Sequence, residues 1–381
     1  MTDRPLAGLR VAVVANTAWY LVNFRINLMR ALQLAGAAVV AVAPEDDHAQ
    51  VIRDAGIDFA PIKLSGAGRQ PWSELRSVAM LWRTFRSHRI DLVLSYTPKG
   101  NLYSALACVI AERAFVPNVS GLGRTFIRRT WVTHLVSLMY RATFGRAQRV
   151  FFQNQDDLDT FVRAGLVPAA LVERLPGSGV DLTRFLPVPL PENAPEAPLF
   201  VMIARMLWDK GVGEFVEAAR VVQRSFPGAR FVLLGFADVA NPSAISRKQL
   251  DKWTAEGVVR YMGQTDDVRP WLAQADCVVL PSYREGLPRT LLEAGACARP
   301  VVTTNAPGCR DAVRDCVTGY LCRTADSDDL ACKLMTFIGL PRLKRQEFGA
   351  RAREFVEQNF DERRVIDRYL ATAQEIRDLI N

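Results

Sequence analysis

Five prolines fall within the twelve residues from Pro187 to Pro198. Proline lacks a backbone N–H and fixes φ near −65°, so such a stretch forms neither a helix interior nor a central strand. It reads as a stiff linker. A chain of 381 residues is long enough to bury two cores. The linker at 187–198 therefore separates a first domain, 1–186, from a second, 199–360. The last segment, 361–381, is a charged amphipathic helix that can cross back to the first domain.

Both halves alternate apolar runs with amphipathic stretches. In the first half, strands are expected at Arg10–Ala15, Ala38–Ala43, Leu92–Ser95, Val116–Val119 and Arg149–Phe152. Helices are expected at Phe24–Ala35, Ser73–Ser87, Asn101–Arg113 and Thr130–Thr143. In the second half, strands are expected at Leu199–Ala204, Phe231–Leu234, Val258–Tyr261, Cys277–Leu280 and Val301–Thr304, with a helix at Gly213–Ser225. This is the α/β, doubly wound, Rossmann-like pattern, twice over. Two such domains imply a cleft between them for a substrate.

Seven cysteines (108, 277, 297, 309, 316, 322 and 332) form no Cys-x-x-Cys pair. That points to a reducing compartment, with all seven as small core residues. No apolar run reaches the eighteen or so residues of a membrane span. Charge is unevenly spread: residues 1–190 carry 22 Lys and Arg against 14 Asp and Glu, while the remainder is balanced at 26 each. Between 60 and 150 the excess is 14 basic residues over 3 acidic ones, with Trp72, Trp82, Phe85, Phe126, Trp131 and Tyr140 interleaved. Such stretches suit an anionic membrane surface, at about 1 kcal/mol per cation, better than nucleic acid, which is not expected as a partner. An ordinary solvated helix face is the competing reading.

The chemistry concentrates in Pro281-Ser282-Tyr283-Arg284-Glu285-Gly286-Leu287-Pro288-Arg289-Thr290-Leu291-Leu292-Glu293-Ala294. The preceding run Cys277–Leu280 reads as a buried strand, and Pro288 opens a helix. Glu285 then lies in the strand-to-helix loop, and Glu293 about 7 Å down the helix. A helix N-terminus attracts a phosphate, and a carboxylate further in accepts ribose hydroxyl protons. Upstream, Arg205 and Lys210 follow the strand Leu199–Ala204, so two cations sit at the carboxyl end of a second strand. A fixed fork and a point charge suit a departing nucleoside diphosphate without a metal.

Arg205, Lys210-Gly211, Glu285-Gly286-Leu287-Pro288 and Glu293-Ala294 together resemble the retaining glycosyltransferases of family 4, which have the GT-B fold. Gly177-Ser178-Gly179-Val180-Asp181 and Gly319-Tyr320-Leu321 extend the resemblance over most of the chain. It implies transfer of a sugar from a nucleotide donor with retained anomeric configuration. Arg205 and Lys210 would hold the diphosphate, Glu285 the sugar hydroxyls and Glu293 the ribose. Gly286, Leu287, Arg289 and Thr290 would line the donor site through the loop and the first helical turn. The resemblance also implies no metal and no cofactor.

The first half departs from the family pattern. Asn16-Thr17-Ala18-Trp19 stands where many relatives have a glycine pair, and Tyr96 where many have a histidine. The Thr97-Pro98-Lys99 run and the loop Asn118-Val119-Ser120-Gly121-Leu122-Gly123, followed by Arg124, are similar to the subgroup that builds O-antigens, capsules and lipid-linked glycans. Asn16, Thr17, Tyr96, Lys99, Ser120, Gly121, Gly123 and Arg124 are therefore the acceptor-side or sugar-side candidates. The loop would cradle an acceptor's pyrophosphate. The expected donor is a UDP-sugar, UDP-N-acetylhexosamines included. The expected acceptor is a polyprenyl-diphosphate-linked glycan, reached from the cytoplasmic face of the membrane. Two other readings compete: a nucleotide-sugar 2-epimerase of the same architecture, and a non-catalytic scaffold docking on membrane or RNA.

Overall fold

A computed structural model of the chain describes residues 4–64, 71–122, 131–191, 197–237 and 241–380. The chain forms two compact units, Met1–Ser178 with Arg363–Asn381, and Gly179–Glu362.

In the first unit the strands are β1 (Arg10–Val14), β2 (Ala38–Ala43), β3 (Asp58–Pro61), β4 (Leu92–Tyr96), β5 (Ala114–Val119), β6 (Val150–Phe152) and β7 (Val172–Arg174). They make one sheet in the order β3-β2-β1-β4-β5-β6-β7, and every pairing is parallel. The sequence reason lies in the strands themselves. Arg10-Val11-Ala12-Val13-Val14 buries all but its first residue, as a parallel strand covered on both faces must. Val11 and Val13 pack on one side with the helices Ala18–Leu34 and Glu362–Ile380. Ala12 and Val14 pack on the other with Pro71–Ser87, Pro98–Ala111 and Trp131–Phe144.

The second unit repeats the plan with β8 (Leu199–Ile203), β9 (Arg230–Leu234), β10 (Arg260–Tyr261), β11 (Cys277–Leu280), β12 (Val301–Thr304) and β13 (Gly319–Cys322). Their order is β10-β9-β8-β11-β12-β13, around one apolar core. In each sheet the strand order reverses once, between β1 and β4 and between β8 and β11. Open α/β sheets bind ligands outside the carboxyl ends of the strands at this switch point.

Three features differ from the sequence expectation. The proline-rich stretch is not a free linker: Pro187–Pro191 belongs to the second unit. The Val188 amide donates to the Cys297 carbonyl at 3.3 Å. The fully buried Arg299 guanidinium donates to the Val188 and Pro189 carbonyls, both at 2.8 Å, and to those of Leu272 and Ala273. The prolines leave this stretch short of backbone donors, and here an arginine side chain ties its Val188 and Pro189 carbonyls to the core. The chain passes from one unit to the other instead at Ser178/Gly179 and Glu362/Arg363, on the second unit's side of which two backbone bonds tie the two segments of chain together. There the Val180 amide donates to Phe360 O at 2.8 Å and the Glu362 amide to Val180 O at 3.1 Å. Finally, Cys316 and Cys332 are exposed, while the other five cysteines are buried.

Candidate active site

Three loops at the carboxyl edge of the second sheet are laced together. After β8 the chain passes Arg205 and makes a short 3-10 turn, Trp208–Lys210. It then enters the helix Val212–Ser225 through Gly211, whose φ is +77°. A Cβ on Gly211 would lie 2.1 Å from the Pro281 carbonyl oxygen, so only glycine lets the two loops approach this closely. The Asp209 carbonyl accepts from the Tyr283 amide at 3.0 Å and the Ser282 hydroxyl at 3.2 Å. From the far side, the Thr304 hydroxyl donates to Ser282 O at 2.5 Å, and the Glu285 amide donates to Pro307 O at 3.0 Å. Gly308 closes this side, where a Cβ would fall 2.4 Å from Glu285 O.

That lacing brings Lys210 and Glu285 together across the switch point. The Lys210 ammonium donates to the Glu285 carboxylate, and the two side chains are 18% and 14% exposed. Arg205 lies two residues beyond the end of β8 and is exposed. It makes no ion pair among the described residues, so its guanidinium is open to a ligand. Both cations and Glu285 thus stand on one edge of one sheet, at strands that pair directly.

The helix begins at Arg289 and runs to Ala296, which puts Glu293 about 6 Å along its axis. Gly286 and Leu287 are buried ahead of it, and the Leu287 side chain packs into the core. The Arg289 Nε lies 2.9 Å from Glu293 Oε1, the two side chains being 15% and 14% exposed. Thr290 serves as a tie, its hydroxyl donating to the Ile203 carbonyl at 3.2 Å. Burial raises the Glu293 carboxyl above the ordinary glutamate range, against the pull of the Arg289 and Arg184 guanidiniums.

A carboxyl raised in this way favours the folded state when protonated. Its stabilising contribution is complete below the ordinary value of about 4.3 and is lost as pH rises through the raised one. Glu293→Gln is therefore expected to melt above the parent protein at neutral pH, with the gap closing towards about pH 4. Donor affinity of the parent should move the opposite way, weakening as the carboxylate protonates and loses acceptor capacity. Melting curves and nucleotide titrations at the two pH values check both signs.

Sequence reasoning missed several supports. The Tyr283 hydroxyl donates to Glu214 at 2.5 Å, and Ser243 to Asp209 at 2.6 Å. The closing role of Gly308 was also unforeseen, although Pro307-Gly308 directly after a buried strand is a readable turn signal. Among the described residues no three His, Cys, Asp or Glu side chains cluster as metal ligands.

In the first unit the candidates lie at the other switch point. Asn16 is exposed after β1, and the Thr17 hydroxyl caps the helix Ala18–Leu34 by accepting from the Tyr20 amide at 3.1 Å. Ser120 and Gly121 follow β5, Gly121 with φ +116°. Gly123 and Arg124 lie outside the described residues. Tyr96 is a correction. It is fully buried, with the Arg25 guanidinium 4.0 Å above its ring and the Tyr20 and Tyr369 rings beside it. It belongs to the core and cannot line a site. Lys99 is half-buried and paired with Glu74 at 3.0 Å, so its charge is already met.

Residues 197–339 match the family described as Glycosyl transferases group 1, and residues 26–178 the Glycosyl transferase 4-like domain. The chain is 28% identical over 380 residues to the N,N'-diacetylbacillosaminyl-diphospho-undecaprenol alpha-1,3-N-acetylgalactosaminyltransferase of Campylobacter jejuni. That match covers 95% of this chain and 97% of the relative. It is 24% identical over 269 residues to the Escherichia coli UDP-Gal:alpha-D-GlcNAc-diphosphoundecaprenol alpha-1,3-galactosyltransferase, covering 67% and 68% of the two. Among solved structures, Anabaena Alr3699/HepE in complex with UDP-glucose superposes with a TM-score of 0.76 at 18% identity, over 98% of this chain and 99% of that one. The Thermosynechococcus elongatus sucrose-phosphate synthase gives 0.78 at 17%, over 98% and 99%.

Proposed function

This chain belongs to the family 4 glycosyltransferases of the GT-B fold, and from that premise we propose that it transfers a sugar from a UDP-sugar to a polyprenyl-diphosphate-linked glycan, with retention and without a metal. The observation that carries this reading is the Lys210–Glu285 pair, held at the switch point of the second sheet beside an open Arg205. As the bond to the sugar breaks, charge grows on the leaving diphosphate. Lys210 and Arg205 meet that charge, and the amino end of the helix Arg289–Ala296 adds its dipole. Glu285, freed from Lys210 as the phosphate takes its place, turns its acceptor oxygens to the sugar hydroxyls. Glu293 accepts from the ribose. A phosphate oxygen of the leaving group then takes the proton of the incoming hydroxyl, so no protein base is required.

The acceptor assignment draws on two relatives whose names specify diphospho-undecaprenol or diphosphoundecaprenol substrates. It also draws on the surface of the first unit. The helix Pro71–Ser87 exposes Trp72 and Leu75, 78% and 60% accessible, on the flank that carries Arg76, Arg83 and Arg86. Leu135 and Leu138 are exposed on the helix Trp131–Phe144. Apolar side chains beside arginines suit an anionic bilayer surface. Flotation with vesicles is expected to recover the protein with anionic lipid and not with neutral lipid, and Trp72→Ser with Leu75→Ser should weaken recovery. Equal recovery with both lipids would remove the electrostatic part of this proposal.

The test of the reaction is transfer from a panel of labelled UDP-sugars to a short polyprenyl-diphosphate glycan in the presence of a chelator. Product with the anomeric configuration of the donor is expected. Release of an isomerised sugar without acceptor would favour the epimerase reading instead.

A further inference from the structure

We propose that Arg289, the first residue of the helix Arg289–Ala296, is a positioning residue whose guanidinium fixes the Glu293 carboxylate for the ribose of the donor. The contact of Glu293 with a ribose rests on the function proposed above; the hold of Arg289 on Glu293 does not. Helix stability gives no reason for an arginine at this position. A cation at a helix amino end opposes the macrodipole. An arginine four residues ahead of a glutamate is also the less favourable order for such a pair. Arg289 Nε nevertheless lies 2.9 Å from Glu293 Oε1, and the two side chains are 15% and 14% exposed. So enclosed a pair contributes little net stability once both ions have left water. What it contributes is direction. Side chains on a helix lean towards its amino end, and Arg289 holds the Glu293 carboxylate on that side, one turn from the end that attracts a diphosphate.

The charges that act on Glu293 come from several elements. Burial pushes its carboxyl up; the Arg289 guanidinium opposes this most, followed by Arg184 from the exposed turn after Val180. Asp267, from the loop after β10, adds to the rise. That aspartate is itself held below the ordinary carboxylate range by Arg269, 2.7 Å away. At the far end of the helix, burial pushes the Cys297 thiol up to about 11, so it is neutral at pH 7. Arg353, on the helix Arg342–Phe360, is engaged with the Phe185 and Ala296 carbonyls at 2.7 and 2.8 Å. Removing Arg289 therefore lets the Glu293 carboxyl rise further and take up a proton nearer neutrality. A protonated carboxyl has less capacity to accept from ribose hydroxyls.

The experiment compares the full parent chain with Arg289→Gln and Arg289→Lys by calorimetric titration with UDP and with 2′-deoxy-UDP, between about pH 5 and about pH 8. The preference for UDP over the deoxy nucleotide reads the ribose contact. In Arg289→Gln that preference is expected to fall by at least about fivefold at neutral pH, the difference between a charged and a neutral acceptor. The pH below which the preference is lost should move upward. Arg289→Lys keeps the charge and should restore most of the preference. The melting temperature of Arg289→Gln should fall below the parent's by a margin that widens as pH rises, because a carboxyl raised further loses its stabilising contribution as pH passes its new value. An arginine that only packed the helix would lower melting evenly across pH. Equal weakening of both nucleotides with an unchanged pH profile would make Arg289 a phosphate ligand and overturn the proposal. A parent that prefers UDP, beside a folded Arg289→Gln with the same preference, overturns this proposal alone. A parent that does not distinguish the two nucleotides overturns the ribose reading of Glu293, and this proposal with it.

Discussion

Replacing Lys210 by alanine is expected to lower kcat/KM for sugar transfer by about 100- to 1,000-fold, the scale on which one preplaced group acts at developing charge. The loss has two origins. On the mechanism proposed above, the leaving diphosphate in the transition state keeps Arg205 and the helix end but loses the ammonium. In the free protein the Glu285 carboxylate, 14% exposed, loses the cation it is bound to. Breaking so enclosed a pair from one side leaves a desolvated charge behind and should cost about 2 kcal/mol of folding stability. The second effect is separable from the first, because Lys210→Ala with Glu285→Gln should recover the melting temperature without recovering the rate. Retained turnover and unchanged UDP affinity in Lys210→Ala would remove this lysine from the reaction.

The second large effect is expected at Gly211. Alanine there must adopt φ +77° and place a Cβ 2.1 Å from the Pro281 carbonyl oxygen. The strain and the overlap together should lower unfolding free energy by about 3 kcal/mol. Relief of the overlap requires the loop after β8 to move from the loop after β11, and those two loops carry Lys210 and Glu285. Activity should therefore fall further than stability does, even at temperatures where the variant is folded. Gly213→Ala is the control two residues on, in the helix, where the new atom meets only the Trp208 ring, at 2.9 Å. Urea denaturation and turnover of the two variants side by side decide the matter. Equal behaviour would mean that close approach to Pro281 does not position the pair.

The repeated α/β plan was legible because the buried parallel strands are apolar along nearly their whole length; Ala38–Ala43, Cys277–Leu280 and Val301–Thr304 fall where the pattern puts them. The edge strands β3, β7 and β13 were not read, being three or four residues long with mixed burial in the first two. Glu285, Lys210 and Arg205 could be assembled on one strand edge because strand ends and loop lengths are local properties. Tyr96 could not be placed correctly, since its burial depends on Tyr369 and Arg25, which sequence distance hides. The unit boundary was missed for a related reason. Prolines report what a segment cannot be, and nothing near 187–191 announces that Arg299 will hold it against the core.

The crossing back of the chain at Glu362/Arg363 bears on how the protein is made. Helix Glu362–Ile380 supplies Val365, Tyr369, Ala373 and Ile376 to one face of the first sheet, and the Tyr369 hydroxyl accepts from the buried Asn118 side chain at 2.9 Å. These residues follow the whole of the second unit in the chain and so leave the ribosome after it. The amino-terminal unit therefore waits, with an apolar face uncovered, while the whole of the other unit is translated and is free to fold as an uninterrupted segment. A fragment ending at Ser178 inherits that uncovered face permanently, whereas one spanning Gly179–Glu362 does not.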